Sequence, residues 1–180
     1  MKKILSILLL AFLFTGCLKM KATPTTEVED FFAKYQQLDS VVISQLNEVI
    51  NKDTNLTSNQ RKAYRDAIER QYRNLKYEIK EERVDGDVAT VTAEIEVFDY
   101  HKALTAAQQY LTENPDQFTD EEDVFDESKY FDYKVQQMAD TTDKVTYTLD
   151  LTLIKQGDKW VLEDLTDTDR EKIHGLYNYS

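Results

Sequence analysis

The fold class predicted is α+β: an N-terminal helix pair packed on a curved antiparallel sheet of about four strands, with a helical insertion between two hairpins. Three observations carry it. Residues 28–75 place their apolar side chains at helical spacing. Residues 77–97 and 145–162 instead alternate apolar with polar, the period of strands that bury one face. The stretch between those alternations, 99–143, is too long for a plain loop and carries two further apolar clusters at helical spacing.

The chain opens on Met1-Lys2-Lys3, a short positive start, and continues through residues 4–14, uncharged and broken only by Ser6. That run is too short to cross a bilayer, which takes about 20 apolar residues in a helix. A charged start, a short apolar stretch and a small-residue exit describe a secretory signal. The exit is Thr15-Gly16-Cys17, and Cys17 is the only cysteine in the chain. The segment resembles the lipobox of bacterial lipoproteins, in which cysteine follows a small residue and an apolar one stands three places before it. Thr15 and Gly16 fit that pattern; Phe14 stands where leucine is usual. The resemblance implies that the thiol of Cys17 carries a diacylglycerol and that the Gly16–Cys17 bond is cut. The expected organisation is a signal peptide at 1–16, a lipidated tether at 17–25 and a single domain at 26–180. The location implied is the extracytoplasmic face of the cell membrane. A solitary thiol without lipid would be a liability in an oxidising exterior, where cysteines pair.

Composition bounds the rest. Without residues 1–16 the chain keeps 20 basic and 34 acidic residues, a net charge of −14. So acidic a chain is not a nucleic-acid binder, because phosphate backbones are met by clustered Lys and Arg. It is also repelled by anionic lipid, so the anchor on Cys17 is expected to act as a tether. With one cysteine no internal disulfide forms, and packing alone must hold the domain.

Pro24 closes the tether, and Thr26-x-x-Glu29 has the form of a capping box. Val28, Phe31, Phe32, Tyr35, Leu38, Val42, Leu46, Val49 and Ile50 then form one stripe, which predicts one long helix ending at residues 51–55. A second box, Thr57-x-x-Gln60, opens a helix carrying Ala63, Tyr64, Ala67, Ile68, Tyr72 and Leu75. A hairpin follows. Tyr77 and Ile79 alternate with charges, Asp85-Gly86-Asp87 turns the chain, and Ala89, Val91, Ala93, Ile95 and Val97 alternate with Thr and Glu. Ala103, Leu104, Ala107, Tyr110 and Leu111 predict an inserted helix stopping before Asn114-Pro115, and Phe131, Val135 and Met138 predict another. Between them residues 113–132 hold nine acids against one lysine. The second hairpin sets Val145, Tyr147, Leu149, Leu151 and Leu153 against Gly157 and Trp160 to Leu162. Each hairpin has one apolar face, so one covered sheet face is expected, with the helices as cover. Thr168-x-x-Glu171 is expected to cap a short last helix ending at Gly175.

Two leading helices, the antiparallel strands and the closing hairpin from Leu153 to Leu162 resemble the nuclear-transport-factor-2-like (cystatin-like) fold. They are similar in particular to small lipoproteins of Gram-positive bacteria, most of them uncharacterised, that carry such a domain behind a lipobox. Members of that superfamily include binding modules, assembly factors and a few isomerases and dehydratases, so the resemblance implies a fold and no single activity.

Candidate chemistry is sparse. His101 and His174 lack metal-ligand spacing with one another or with a cysteine, and both are expected to be structural or surface residues. The acidic run 116–132 lacks the central glycine and alternate acids of a calcium loop, so a solvated loop is expected and no metal. Asp164, Asp167, Asp169 and Glu171 suit helix capping. Trp160 is expected to pack on the sheet. No cofactor motif occurs. The function expected is a non-catalytic domain, with no catalytic residues, that binds a small apolar ligand in the sheet's concavity or another envelope protein. The alternatives are an isomerase- or dehydratase-like enzyme using His101, His174, Asp150 or Asp164 inside the cavity, and a purely structural lipoprotein. Asp150 lies on the polar register of its strand and should face out.

Overall fold

The computed structural model describes residues 22–179. Gly16 and Cys17, and with them the expected cleavage and lipid sites, lie outside the described residues.

Three helices lead the chain instead of the expected two: α1 (Pro24–Gln36), α2 (Ser40–Lys52) and α3 (Ser58–Asn74). The apolar spacing runs unbroken through residues 28–50, yet the backbone does not. Leu38 takes φ +54°, and Asp39 then caps α2 by accepting from the Val41 N–H at 2.8 Å. The break lets Val28 and Phe32 of α1 and Val42, Leu46 and Ile50 of α2 be buried in one core. The start of α1 also differs from expectation. Thr23 is the N-cap, Pro24 takes the first helical position, where its missing N–H is no loss, and Thr26 completes the box. The first helix therefore begins at Pro24, two residues before the expected start of the domain. Thr57 and Gln60 form the expected box at α3.

The sheet is four-stranded and antiparallel, in the order β1 (Lys76–Asp85), β2 (Val88–Phe98), β3 (Lys144–Gln156) and β4 (Lys159–Leu162). Gly86 and Gly157 supply the positive φ that the two hairpin turns require. A register shift between Ile79 and Glu81 bends β1 against β2. The insertion between β2 and β3 holds α4 (Tyr100–Glu113), a tight turn at Pro115–Phe118 and α5 (Glu127–Asp140). The last helix, α6 (Asp167–His174), is capped by Thr166, two residues before the predicted Thr168, and ends at left-handed Gly175. The earlier cap wins because the Thr166 hydroxyl accepts the Asp169 N–H at 3.1 Å.

The core lies between one sheet face and the helices. Ala89, Val91, Ala93, Ile95 and Val97 of β2 and Tyr147, Leu149, Leu151 and Leu153 of β3 are all buried. Val28, Phe32, Ile68 and Leu75 join the same core, and Phe32 stacks on Tyr77 at 4.7 Å. Where β2 leaves the sheet the backbone of Phe98 is buried two residues beyond Glu96, the last residue that β1 pairs. Gln71 of α3 takes the place of the missing strand. Its Oε1 accepts the Phe98 N–H at 2.7 Å and its Nε2 donates to the Phe98 carbonyl at 2.9 Å. Gly175 packs on the same carbonyl so tightly that a Cβ there would lie 2.0 Å from it.

Replacing Gln71 with Leu should keep the volume and strand both Phe98 groups. The expected loss is about 2–4 kcal/mol, since each unpaired buried backbone group costs about 1–3 kcal/mol. Denaturant unfolding with an unchanged slope is the check. Gly175→Ala should destabilise as well, through backbone overlap and positive φ together.

Candidate functional site

Among the described residues the covered sheet face is filled: its Ala, Val, Ile and Leu side chains share one core with those of α1 and α3, and Tyr147 meets Tyr177 edge-on. The open features lie elsewhere, on the helical side.

The first is a cleft of about 330 Å³ between α2, α3 and α6, walled by Tyr35, Tyr64, Tyr72 and Leu46, with Arg170 and His174 contributed by α6. Helical periodicity puts Tyr64, Ile68 and Tyr72 on one face of α3, while the break at Leu38 swings α2 alongside it. Tyr35 meets Tyr72 edge-on with ring centres 4.8 Å apart. The Tyr72 hydroxyl lies 2.8 Å from His174 Nε2, a contact between residues 102 apart in the chain. In the neutral ring the direction follows the tautomer: the hydroxyl donates when the proton sits on Nδ1, and Nε2 donates when the proton sits there. Burial holds the His174 pKa down to about 4, and the positive charge of Arg170 pushes it the same way. Burial also raises Tyr72 well above the ordinary tyrosine value, helped by the neighbouring Tyr35 and Tyr64. Tyr35 and Tyr64 are raised by burial too. This pair is therefore a neutral hydrogen bond at neutral pH.

The second is a polar cleft of about 700 Å³ where the acidic loop and the start of α5 face the α2–α3 link. Three of its four carboxylates are occupied with nearby backbone. Asp120 accepts from the N–H groups of Glu122 and Val124, each at 2.9 Å. Asp126 caps α5 at Ser128 and Lys129, and Asp53 accepts from Asn55. Lys134 lies over the Tyr130 ring at 4.8 Å. Among the described residues no group of three or more His, Cys, Asp and Glu side chains is placed to hold a metal ion.

The four residues weighed from sequence are not gathered into one pocket. Asp150 faces out, as its register predicts, and its Oδ1 accepts from the Thr92 hydroxyl at 2.6 Å. Asp164 is exposed beyond β4. His101 opens α4, its N–H donating to the Gly175 carbonyl at 2.7 Å and its ring edge-on to Tyr179. Only His174 enters the tyrosine cleft. Trp160 packs half-buried against the core. Sequence reasoning missed Gln71 and the Tyr72–His174 pair. Gln71 was findable, since it stands four after Ala67 and three after Ile68 on the buried stripe; the pair, so far apart in sequence, left no local signal.

No family model matches the chain, and neither the curated proteins nor the solved structures contain a significant match to it. No helix among the described residues is long and apolar enough to cross a membrane.

The depressed His174 pKa fixes a pH dependence. Above about pH 6.5 the residue is neutral folded and unfolded, so it costs nothing. As pH falls from 6.5 towards 4 the unfolded chain takes up a proton that the folded chain refuses, and stability drops. The expected loss is on the order of 2–3 kcal/mol across that window. Unfolding midpoints of the wild type and His174→Gln at pH 7 and pH 4 check it; the wild type should lose more.

Proposed function

We propose that the chain is a lipid-anchored protein of the extracytoplasmic face of the cell membrane, bearing a non-catalytic domain that binds a small ligand or another envelope protein. The observation that carries the anchor is the solitary Cys17 directly after Gly16, at the exit of a short uncharged apolar run. On this reading residues 1–16 are removed and a diacylglycerol on the Cys17 thiol holds the domain. The net charge of −14 supports a tethered domain that stands off anionic lipid, and weighs against nucleic acid. The order of elements supports a nuclear-transport-factor-2-like reading of the domain.

The non-catalytic reading draws on two features. An isomerase or dehydratase of this kind needs an acid–base residue within a sheet cavity, and that face is occupied by packed apolar side chains. General bases also work best with a pKa near the working pH. His174 sits far below it and has Nε2 engaged by Tyr72. The filled sheet face favours a second reading as well, a purely structural envelope lipoprotein. What weighs for binding is the tyrosine cleft on the helical side.

Cys17→Ser should abolish labelling by a clickable fatty acid and release the protein from membranes on alkaline wash. A mutant that keeps its label, or stays with the membrane, sinks the anchor. Native mass spectrometry of protein purified from its own host separates the domain readings: a reproducible extra mass supports binding, and a bare chain supports the structural reading.

A further inference from the structure

The tyrosine cleft has a chemistry that selects among ligands. Its charged wall residues are Glu48, Lys52 and Arg170. Glu48 and Lys52 pair with each other at 3.2 Å. Arg170 pairs only with Asp167, whose side chain is almost wholly exposed and stands outside the wall. Arg170 is therefore the wall cation whose partner stands outside the cleft, in a chain whose formal charge is −12. It lies close enough to Tyr35 and His174 to act on both electrostatically. The walls are aromatic, and two of their polar ends are open to the cleft. Neither the Tyr35 nor the Tyr64 hydroxyl is sealed from water, so both can exchange solvent for a ligand's oxygen. The third hydroxyl, on Tyr72, is taken by His174.

We propose that this cleft binds a small monocarboxylate carrying a single aromatic ring, with Arg170 pairing the carboxylate, the tyrosine rings packing on its ring and the Tyr35 and Tyr64 hydroxyls hydrogen-bonding it. This rests on the reading of the domain as a binding domain and names the ligand class. A volume of about 330 Å³ lies at the low end of small-molecule pockets, roughly 300–1,000 Å³, which suits one ring and a short side chain. A single wall cation, whose own partner is an exposed carboxylate, matches a monoanion better than a phosphate dianion. The neutral Tyr72–His174 pair adds no charge and serves as a polar floor.

The probe is 3-phenylpropionate, measured by equilibrium dialysis against the full-length chain in zwitterionic nanodiscs, with empty nanodiscs as the blank. Saturable uptake of one molecule per chain is expected. Arg170→Gln, an exposed change, should weaken it about tenfold or more, as loss of a charge-assisted bond does. Tyr64→Phe should weaken it about threefold, and the uncharged 3-phenylpropanamide should bind about tenfold more weakly than the acid. Circular dichroism confirms that each variant is folded. No saturable uptake, equal uptake by Arg170→Gln, or equal binding of acid and amide overturns the proposal. The mass of the recovered compound tells the two readings apart. A chemically altered compound would overturn the non-catalytic reading, whereas an intact, unbound one overturns only the ligand class.

Discussion

The two hydrogen bonds from Gln71 to the backbone of Phe98 are the constraint on which the arrangement of this domain rests. A strand that outruns its neighbour leaves a donor and an acceptor with no partner, and here that happens where water cannot reach. Gln71 supplies both from α3, which fixes the helix against the end of β2. The same residue of the sheet is gripped from three further directions. The Arg70 guanidinium and the Lys144 ammonium lie over its ring at 3.6 and 3.5 Å, and Gly175 sits against its carbonyl. Arg70 also donates to the Thr141 carbonyl at 2.8 Å at the end of α5. One residue thus joins the sheet, the insertion and the closing helix, and the tyrosine cleft inherits its shape because α6 enters it from that junction.

Much of this was legible in the sequence, for physical reasons. Period-two alternation specifies both strand and face, because a slip of one residue would turn every apolar side chain to solvent; Ala89 to Val97 and Tyr147 to Leu153 therefore announced the covered face directly. Helix periodicity is less informative about breaks. Leu38 and Val42 are four apart whether or not the helix continues, so the stripe from Val28 to Ile50 concealed a turn that Asp39-Ser40 marks by capping. Thr23 and Thr26 both have the hydroxyl a cap needs, and the sequence alone did not choose between them. The cleft was hidden for a different reason: it depends on α6 folding back onto α3, a long-range packing event with no local pattern.

The charge is distributed with the same economy. Asp39, Asp53, Asp99, Asp120 and Asp126 each accept from a backbone N–H, while on the solvated sheet face Lys76 meets Glu96 and Lys80 meets Glu94. Such exposed pairs contribute little stability singly. Their value lies in β1, an edge strand whose Lys76, Glu78, Lys80, Glu81, Glu82 and Arg83 make it an unfavourable edge for another chain to pair with, Val84 being its one exposed apolar residue.

The way the chain enters the domain has a mechanical consequence. Pro24 is buried, and both the N–H and the hydroxyl of Thr25 donate to one carboxylate oxygen of Glu82 on β1, at 2.9 and 2.7 Å. A pull on the residues before Thr23 is delivered at that point, at the outer strand of the sheet and the first turn of α1. The load would peel α1 away from β1 bond by bond and leave the junction at Phe98 for last. Under such a load the domain yields first at the N-terminal turn of α1, and the cleft feels it only when the peel reaches Tyr35 near the helix's other end.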